Sequence, residues 1–210
     1  MLRRTSKTAE RWENLPMPKI QASNLIAHRE LRREQLMAAA MELAVNEGAQ
    51  AITVAAVASK AGLSRSSIYE YFSSSADLVA DLVIEELEHY SNRLAEAIKG
   101  VTDPYEMISL WIEEGLRYVV DGRHMLVKSL NTVTPPEFRK EEIAVGHRNL
   151  LVPLRNALAA TGISDIRGAS AFLSSVTDAA SVRIESGNDA ELEIRNAKIF
   201  AVAGLRALAQ

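Results

Sequence analysis

Residues 53–72 read TVAAVASKAGLSRSSIYEYF, and this stretch decides the fold. Thr53 is a typical N-cap, and the apolar residues after it follow a helical period until Gly62. Ser64 provides a second N-cap two residues later, ahead of another short amphipathic segment. Two short helices joined by a tight turn that contains glycine are the sequence signature of a helix-turn-helix.

The residue types in this stretch suit two helices that cross closely. Ala58 and Ala61 are small, and Gly62 permits a left-handed backbone at the turn. Leu63 and Ile68 can fill the space between the helices. The other residues of the second helix are polar and short or flexible, which suits contact with base edges and phosphates. We therefore predict that the second helix enters the major groove of DNA.

The rest of the chain predicts an all-α protein with about nine helices, and no run has the period of a strand. Ser74 and Asp77 form a capping-box pattern ahead of an apolar stripe that ends at Gly100. Asp103-Pro104 is an N-cap followed by proline. Further predicted segments run from Ser23 or Asn24 to Glu47, His124 to Leu130, Pro136 or Glu137 to Ala160, Ser164 to Glu185, and Asn188 or Asp189 to Leu208.

The composition excludes several function classes. The chain of 210 residues has no cysteine, so disulfides, thiolate zinc sites and cysteine nucleophiles are ruled out. The histidines lack the spacing of a metal site, and we expect neither a metal nor a cofactor. The N-terminus lacks the pattern of a secretory signal, and no apolar stretch is long enough to span a bilayer. We expect a soluble cytoplasmic protein that has no membrane partner.

Charge is unevenly distributed along the chain. The net charge is −3, yet residues 1–33 contain eight Lys and Arg against three acidic residues. A basic end on an acidic protein is typical of a segment that meets a polyanion, although a solubilising tail has the same composition.

Several segments with fixed spacing carry a resemblance to a known family. They are LMAAAMELAVNEG (36–48), Thr53-Val54, VASKAGLS (57–64) and SSIYEYF (66–72), followed by Leu78. In these segments the chain resembles the DNA-binding region of the TetR family of bacterial transcriptional repressors. The resemblance implies an N-terminal three-helix helix-turn-helix domain and a C-terminal bundle of about six helices.

The resemblance also implies a domain organisation. Residues 1–22 would be a flexible basic extension, 23–76 the DNA-binding domain, and 77–210 the effector-binding and dimerisation domain. The implied function is a DNA-binding regulator, a repressor that binds a palindromic operator as a homodimer and responds to an unknown small-molecule effector. Two alternatives stay open at this point. The regulator could be controlled by a protein partner or by no effector, or the chain could be an all-α enzyme.

The implied DNA contacts centre on the second helix of the motif. Arg65, Ser66, Ser67 and Glu70 would contact bases or nearby phosphates, and the hydroxyls of Tyr69 and Tyr71 would contact phosphates. Thr53 would cap the helix that begins after it, against the DNA backbone. The remaining candidates are Arg32, Arg33 and Ser75. Structural roles are the alternative for three residues. Tyr69 and Phe72 could face the core, and Glu70 could form a local ion pair.

The chain departs from the family pattern at several positions. The family usually has lysine where this sequence has Ser75, and a polar or basic residue often stands where it has Ala55 and Ala56. Two contacts are therefore missing. The basic residues before Leu36 could replace them along the backbone or in the minor groove, as homeodomain arms do.

Candidates for the effector pocket are large side chains of the C-terminal bundle, for which ordinary core packing is the alternative. The small residues of segment 164–185 and the several apolar faces of the last helix predict a helical dimer interface. His147 with Arg148 and Arg183 could bind an acidic effector or could form a solvated face. The pocket candidates are Tyr105, Met107, Trp111, Tyr118, Met125, Phe138, His147 and Phe172.

Overall fold

The computed structural model describes residues 22–209, and these residues fold into nine α-helices and one short 3-10 turn without strands. None of these helices is both long enough and apolar enough to cross a membrane. The elements are α1 (Ala22–Glu47), the 3-10 turn (Ala49–Ala51), α2 (Val54–Ala61), α3 (Arg65–Ile68), α4 (Ser75–Ala97), α5 (Pro104–Val120), α6 (Arg123–Leu130), α7 (Glu137–Ala160), α8 (Ile166–Glu185) and α9 (Ala190–Leu208).

Most helices begin at the predicted capping residues. The side chains of Thr53, Ser64 and Ser74 accept hydrogen bonds from backbone N–H groups three residues later, at 3.1, 3.2 and 3.1 Å. Asp103 and Asp189 cap α5 and α9 in a similar way. These side-chain acceptors satisfy N–H groups that the first turn of a helix leaves without partners.

Two predicted helix starts are wrong. Asp165, not Ser164, caps α8, and its carboxylate accepts a hydrogen bond of 2.9 Å from the N–H of Gly168. A carboxylate is a stronger acceptor than a hydroxyl and carries the negative charge that a helix N-terminus favours. Ser23 and Asn24 lie inside α1, which begins at Ala22 rather than at either predicted cap.

The helices pack around two hydrophobic cores. The first joins α1, α2, α3 and α4 through buried residues such as Leu36, Ile68 and Leu82. The second joins α5, α7, α8 and α9 through residues such as Ile112 and Leu173. Because α4 also packs on α5, α6 and α7, one helix belongs to both halves of the molecule.

A second connection between the two halves is made by hydrogen bonds from α6 and the turn after it. The Ser129 hydroxyl accepts a hydrogen bond of 3.0 Å from the backbone N–H of buried Ala49, which begins the 3-10 turn. The Gln50 side-chain amide donates to the Thr132 hydroxyl at 3.3 Å. The end of α6 is therefore fixed to the segment that connects α1 and α2.

Candidate nucleic-acid interface

Helix α3 is anchored by its own apolar side and presents a polar side outward. Ile68 is completely buried, and Phe72, just beyond the helix, is 1% exposed. Tyr69 is 60% exposed, so the alternative that it faces the core is wrong. Arg65 and Glu70 are exposed as well. Arg65, Tyr69 and Glu70 are therefore accessible to a binding partner, while Ile68 and Phe72 hold the segment in the core.

The turn between α2 and α3 is set by one glycine and by close packing. Gly62 has φ +66°, a left-handed conformation that costs little only for glycine. The N–H of Leu63 donates to the carbonyl of Ala58 at 2.9 Å, and this bond closes the end of α2. Ala58 and Val57 are buried against the neighbouring helices. The predicted roles of Ala58 and Gly62 follow directly from this geometry.

Three serine hydroxyls are gathered at the start of α3. The Ser64 hydroxyl lies 2.8 Å from that of Ser66 and 2.9 Å from that of Ser67. Small hydroxyl groups that bond to one another can exchange these bonds for bonds to phosphate or base edges. They sit at a helix N-terminus, where the backbone dipole favours an anionic group.

The two charged residues of this surface have no ionic partner among the residues that the structure describes. Neither Arg65 nor Glu70 takes part in a hydrogen bond or an ion pair there. The alternative of a local ion pair for Glu70 therefore finds no partner within 22–209.

The start of α1 adds a basic turn beside α3. A cleft between the two helices is lined by His28, Arg29 and Arg32 from α1 and by Ser67, Glu70 and Tyr71 from the motif. The Arg29 guanidinium lies over the Tyr71 ring, 5.8 Å from its centroid. The structure thus places predicted Arg32 next to the motif. It also adds His28 and Arg29, which lie four and three residues before Arg32, so all three are on one side of a helix.

Arg33 lies in a different environment, in what we call the ionic cluster, which consists of Arg33, Asp77, Asp81 and Arg139. Arg33 bonds to Asp81 at 2.5 Å, and Arg139 from α7 bonds to Asp77 and Asp81 at 2.7 Å each. Both aspartates are buried in the first turns of α4. Arg33 therefore already has an intramolecular partner, which a phosphate contact would have to replace.

The ionic cluster shifts the protonation of its members. Burial alone raises the pKa of Asp77, but hydrogen bonds from Ser73 and Arg139 outweigh burial and hold this pKa below its ordinary value. The pKa of Arg139 is raised, since its bonds to the carboxylates outweigh the opposing effect of burial. Asp77 completes its capping box with the backbone N–H of Ser73, at 2.8 Å, instead of that of Ser74. Ser75, half-buried, follows this cap.

The predicted pocket residues are divided by the fold. Trp111, Tyr118 and His147 line a cavity of about 290 Å³ between five helices, which we call the five-helix cavity. Met125, Phe138 and Phe172 are 52%, 65% and 65% exposed and lie outside it. Its lining residues are Glu86, Leu87, Tyr90, Trp111, Gly115, Tyr118, Val119, His124, Val127, His147, Leu150, Ser174, Thr177, Asp178 and Ser181.

The other pocket candidates are also placed apart. Tyr105 lies under the guanidinium of Arg206, which is 4.1 Å from its ring centroid, and Met107 packs against the second core. Arg148 bonds to Glu141 and Arg183 bonds to Glu193, so both arginines proposed with His147 for an acidic effector already have carboxylate partners.

The packing of α2 against α3, the cap at each helix and the polar outward side of α3 define a helix-turn-helix, a motif whose second helix enters the DNA major groove in proteins of this class. The family model for bacterial regulatory proteins of the tetR family matches residues 36–82. Residues 36–82, which contain the helix-turn-helix, match the TetR family, and the resemblance identified from the sequence is confirmed. The fold is that of TetR-family transcriptional regulators.

Solved structures share the whole fold at low sequence identity. The transcriptional regulator FadR from Bacillus subtilis, in complex with stearoyl-CoA, has a TM-score of 0.66 and 22% identity, over 81% of this chain and 98% of that chain. A TetR-like regulator from Rhodococcus sp. RHA1 has a TM-score of 0.64 and 20% identity, over 84% and 97%. A TetR/AcrR regulator from Thermobifida fusca has a TM-score of 0.63 and 21% identity, over 82% and 97%. All three proteins are transcriptional regulators.

Proposed function

We propose that this regulator is a ligand-responsive repressor that binds a palindromic operator as a homodimer. The observation that supports operator binding is the outward side of α3, which leaves Arg65, Tyr69 and Glu70 exposed while Ile68 holds the helix in the core. Such a helix can enter the major groove with its first turn near base edges. The proposed contacts are His28, Arg29, Arg32, Thr53, Arg65, Ser66, Ser67, Tyr69, Glu70, Tyr71 and Ser75.

An apolar face of α8 and α9 supports the homodimer. Phe172, Val182 and Phe200 are 65%, 60% and 71% exposed on these two helices. Exposed apolar patches of this kind mark interaction surfaces. An added Cβ at Gly204 would meet no atom within 4 Å, so the absence of a side chain there leaves space for another helix to approach closely. A second copy is the occupant that fits, because one chain carries one α3 and a palindrome offers two half-sites.

The five-helix cavity supports control by a small molecule. It is lined by side chains of α4, α5, α6, α7 and α8 and opens to solvent, and its α4 residues Glu86 and Leu87 lie on the helix that also joins the first core. A ligand that favours one arrangement of α4 would shift the population of DNA-competent molecules. The complex of Bacillus subtilis FadR with stearoyl-CoA shows that this fold can accommodate an organic ligand.

Operator binding is tested with purified full-length protein and labelled fragments of the DNA beside its own gene. Fluorescence anisotropy should give a Kd that rises steeply with salt, because phosphate contacts release counterions. If the protein binds none of the fragments at low salt, the proposal that it is an operator-binding repressor is wrong. Binding without release by any small molecule would instead favour a regulator without an effector.

The dimer is tested with a matched pair of variants. Phe200→Glu places a charge on the α8–α9 face, whereas Phe138→Glu makes the same change at a similarly exposed phenylalanine of α7. In sedimentation velocity, Phe200→Glu should give monomers with much weaker operator binding, and Phe138→Glu should remain dimeric. Equal behaviour of the two variants would refute the assignment of this face.

A further inference from the structure

The five-helix cavity is lined by carboxylates and by two imidazoles, those of His124 and His147. Two carboxylates line it, from Glu86 and Asp178, and its lining includes no lysine or arginine from the residues that the structure describes. The Glu86 carboxylate is already neutralised, since Arg123 bonds to both of its oxygens at 2.6 and 2.8 Å and the Tyr118 hydroxyl donates to it at 3.1 Å. Asp178 has no hydrogen bond or ion pair within residues 22–209.

Aromatic rings form another part of the wall. Tyr90 and Tyr118 are stacked, with ring centroids 4.7 Å apart and planes inclined by 28°. Trp111 from α5 lines the same cavity. The faces of such rings attract cations, and the attraction grows where water is displaced.

The two tyrosines keep their hydroxyl protons at neutral pH. Burial, with the nearby negative charge of Glu114, raises the pKa of Tyr90 to about 12. Burial and the adjacent Glu86 raise the pKa of Tyr118 as well. The environment that penalises a phenolate would also penalise a ligand that brings in a negative charge.

We propose that the five-helix cavity takes a compact aromatic cation, an inference that rests on the effector role proposed above. The ring lies against Tyr90, Tyr118 and Trp111, and the cationic group is met by the carboxylate of Asp178. The cavity volume of about 290 Å³ is near the lower end of the range for ligand sites, which sets the size to one ring with a small substituent. Carboxylates and phosphates find no lysine or arginine among the described residues of this lining.

The proposal is tested with three probes of equal size, benzamidinium, benzamide and benzoate, and by isothermal titration calorimetry on the full chain. Benzamidinium should bind at least about tenfold more tightly than benzoate, because opposite and like charge separate the two probes. Benzamide should fall between them. Equal affinities, a preference for benzoate, or no binding of benzamidinium up to about 10 mM would overturn the proposal.

Tryptophan emission locates the bound probe. The sequence contains only Trp12 and Trp111, so the Trp12→Phe variant leaves a single reporter in the cavity wall. Benzamidinium should change the emission of Trp111 with the same affinity that calorimetry gives. Calorimetric binding that leaves this emission unchanged would place the probe elsewhere and overturn the assignment.

Two variants test the charge. Asp178→Asn should weaken the binding of benzamidinium by up to about fivefold, the effect of one exposed ion pair, and leave the binding of benzamide unchanged. Glu106→Gln removes an exposed carboxylate of α5 outside the cavity and should change neither affinity. The same loss for both probes in Asp178→Asn would show that the carboxylate does not select charge.

Failure of this inference can be told apart from failure of the proposed function. If benzamidinium binds but does not release the operator, the cavity assignment stands and the effector mechanism fails. If stearoyl-CoA releases the operator and competes with benzamidinium for the cavity, the repressor stands and the proposed ligand class is overturned.

Discussion

Loss of Arg139 should destabilise the protein more than loss of any exposed lysine, because this one side chain joins three helices through the ionic cluster. Its guanidinium bonds to Asp77 and Asp81 at 2.7 Å each, and its side chain is only 21% exposed. Asp81 is also the partner of Arg33 on α1. The variant Arg139→Gln removes the charge and retains much of the side-chain length.

The expected loss in the free energy of unfolding depends on which partners Asp77 and Asp81 retain in the variant. Breaking a fully buried ion pair costs about 3–5 kcal/mol, because the remaining charge has no partner. In Arg139→Gln, Asp77 keeps the two hydrogen bonds from Ser73, and Asp81 keeps Arg33. We therefore expect a smaller loss, of about 2 kcal/mol in the free energy of unfolding.

Urea denaturation monitored by circular dichroism measures this loss, and the neighbouring residue gives the control. Lys140 pairs with Glu137 at 2.5 Å, and the two side chains are 51% and 86% exposed. Lys140→Gln should change the free energy of unfolding by no more than about 0.5 kcal/mol. Equal effects of the two substitutions would refute a stabilising role for the cluster.

The same variant should alter the dependence of stability on pH. The pKa of Asp77 is depressed in the folded state, so its contribution is complete above the ordinary value of 3.8 and is lost as pH falls through the folded pKa. Without Arg139 the folded pKa of Asp77 should rise toward that ordinary value. Arg139→Gln should then lose less stability than the wild type between about pH 4 and pH 2, and an unchanged slope would contradict this assignment.

Three further substitutions test the site and its support. Arg65→Ala should weaken operator binding by about 1–3 kcal/mol, as anisotropy titrations would show, whereas Arg167→Ala on exposed α8 should not. Gly62→Ala should lower the free energy of unfolding by about 1 kcal/mol, since alanine is strained at φ +66°; a neutral result would show that the turn relaxes. Ser129→Ala leaves the N–H of buried Ala49 without its acceptor and should cost about 1–2 kcal/mol in urea, whereas Ser175→Ala, whose hydroxyl bonds only within α8, should cost nothing.

The parts of the fold that could be predicted from the sequence are those decided over a few residues. Thr53, Ser64 and Ser74 each accept a bond from three residues along the chain, so their neighbours alone indicate the cap. Ser164 and Asp165 show the limit of this reasoning, because both are good caps and only the backbone geometry decides between them.

The parts that could not be predicted join residues far apart in the chain. Arg33 and Asp81 are separated by 48 positions and Arg139 and Asp77 by 62, so no local pattern pairs them. Arg32 and Arg33 are neighbours with the same charge, so the sequence does not distinguish their roles. In the structure their side chains leave α1 in different directions: Arg33 pairs with Asp81, and Arg32 lines the cleft beside α3. The five-helix cavity depends on five helices at once, and three of the eight pocket candidates line it.

Helix α4 is where the two proposed sites meet. Its first turns carry Asp77 and Asp81, held by α7 and α1, and its middle carries Glu86, held by Arg123 and facing the five-helix cavity. The nine residue steps from Asp77 to Glu86 span about 14 Å of continuous helix. Under the proposed ligand control, a ligand beside Glu86 would act on a helix whose first turns are bonded to Arg139, and these bonds would oppose a movement of that end. Arg139→Gln should accordingly change the ratio of operator affinities with and without ligand as well as the stability. A ratio equal to that of the wild type would show that the ionic cluster takes no part in the ligand response.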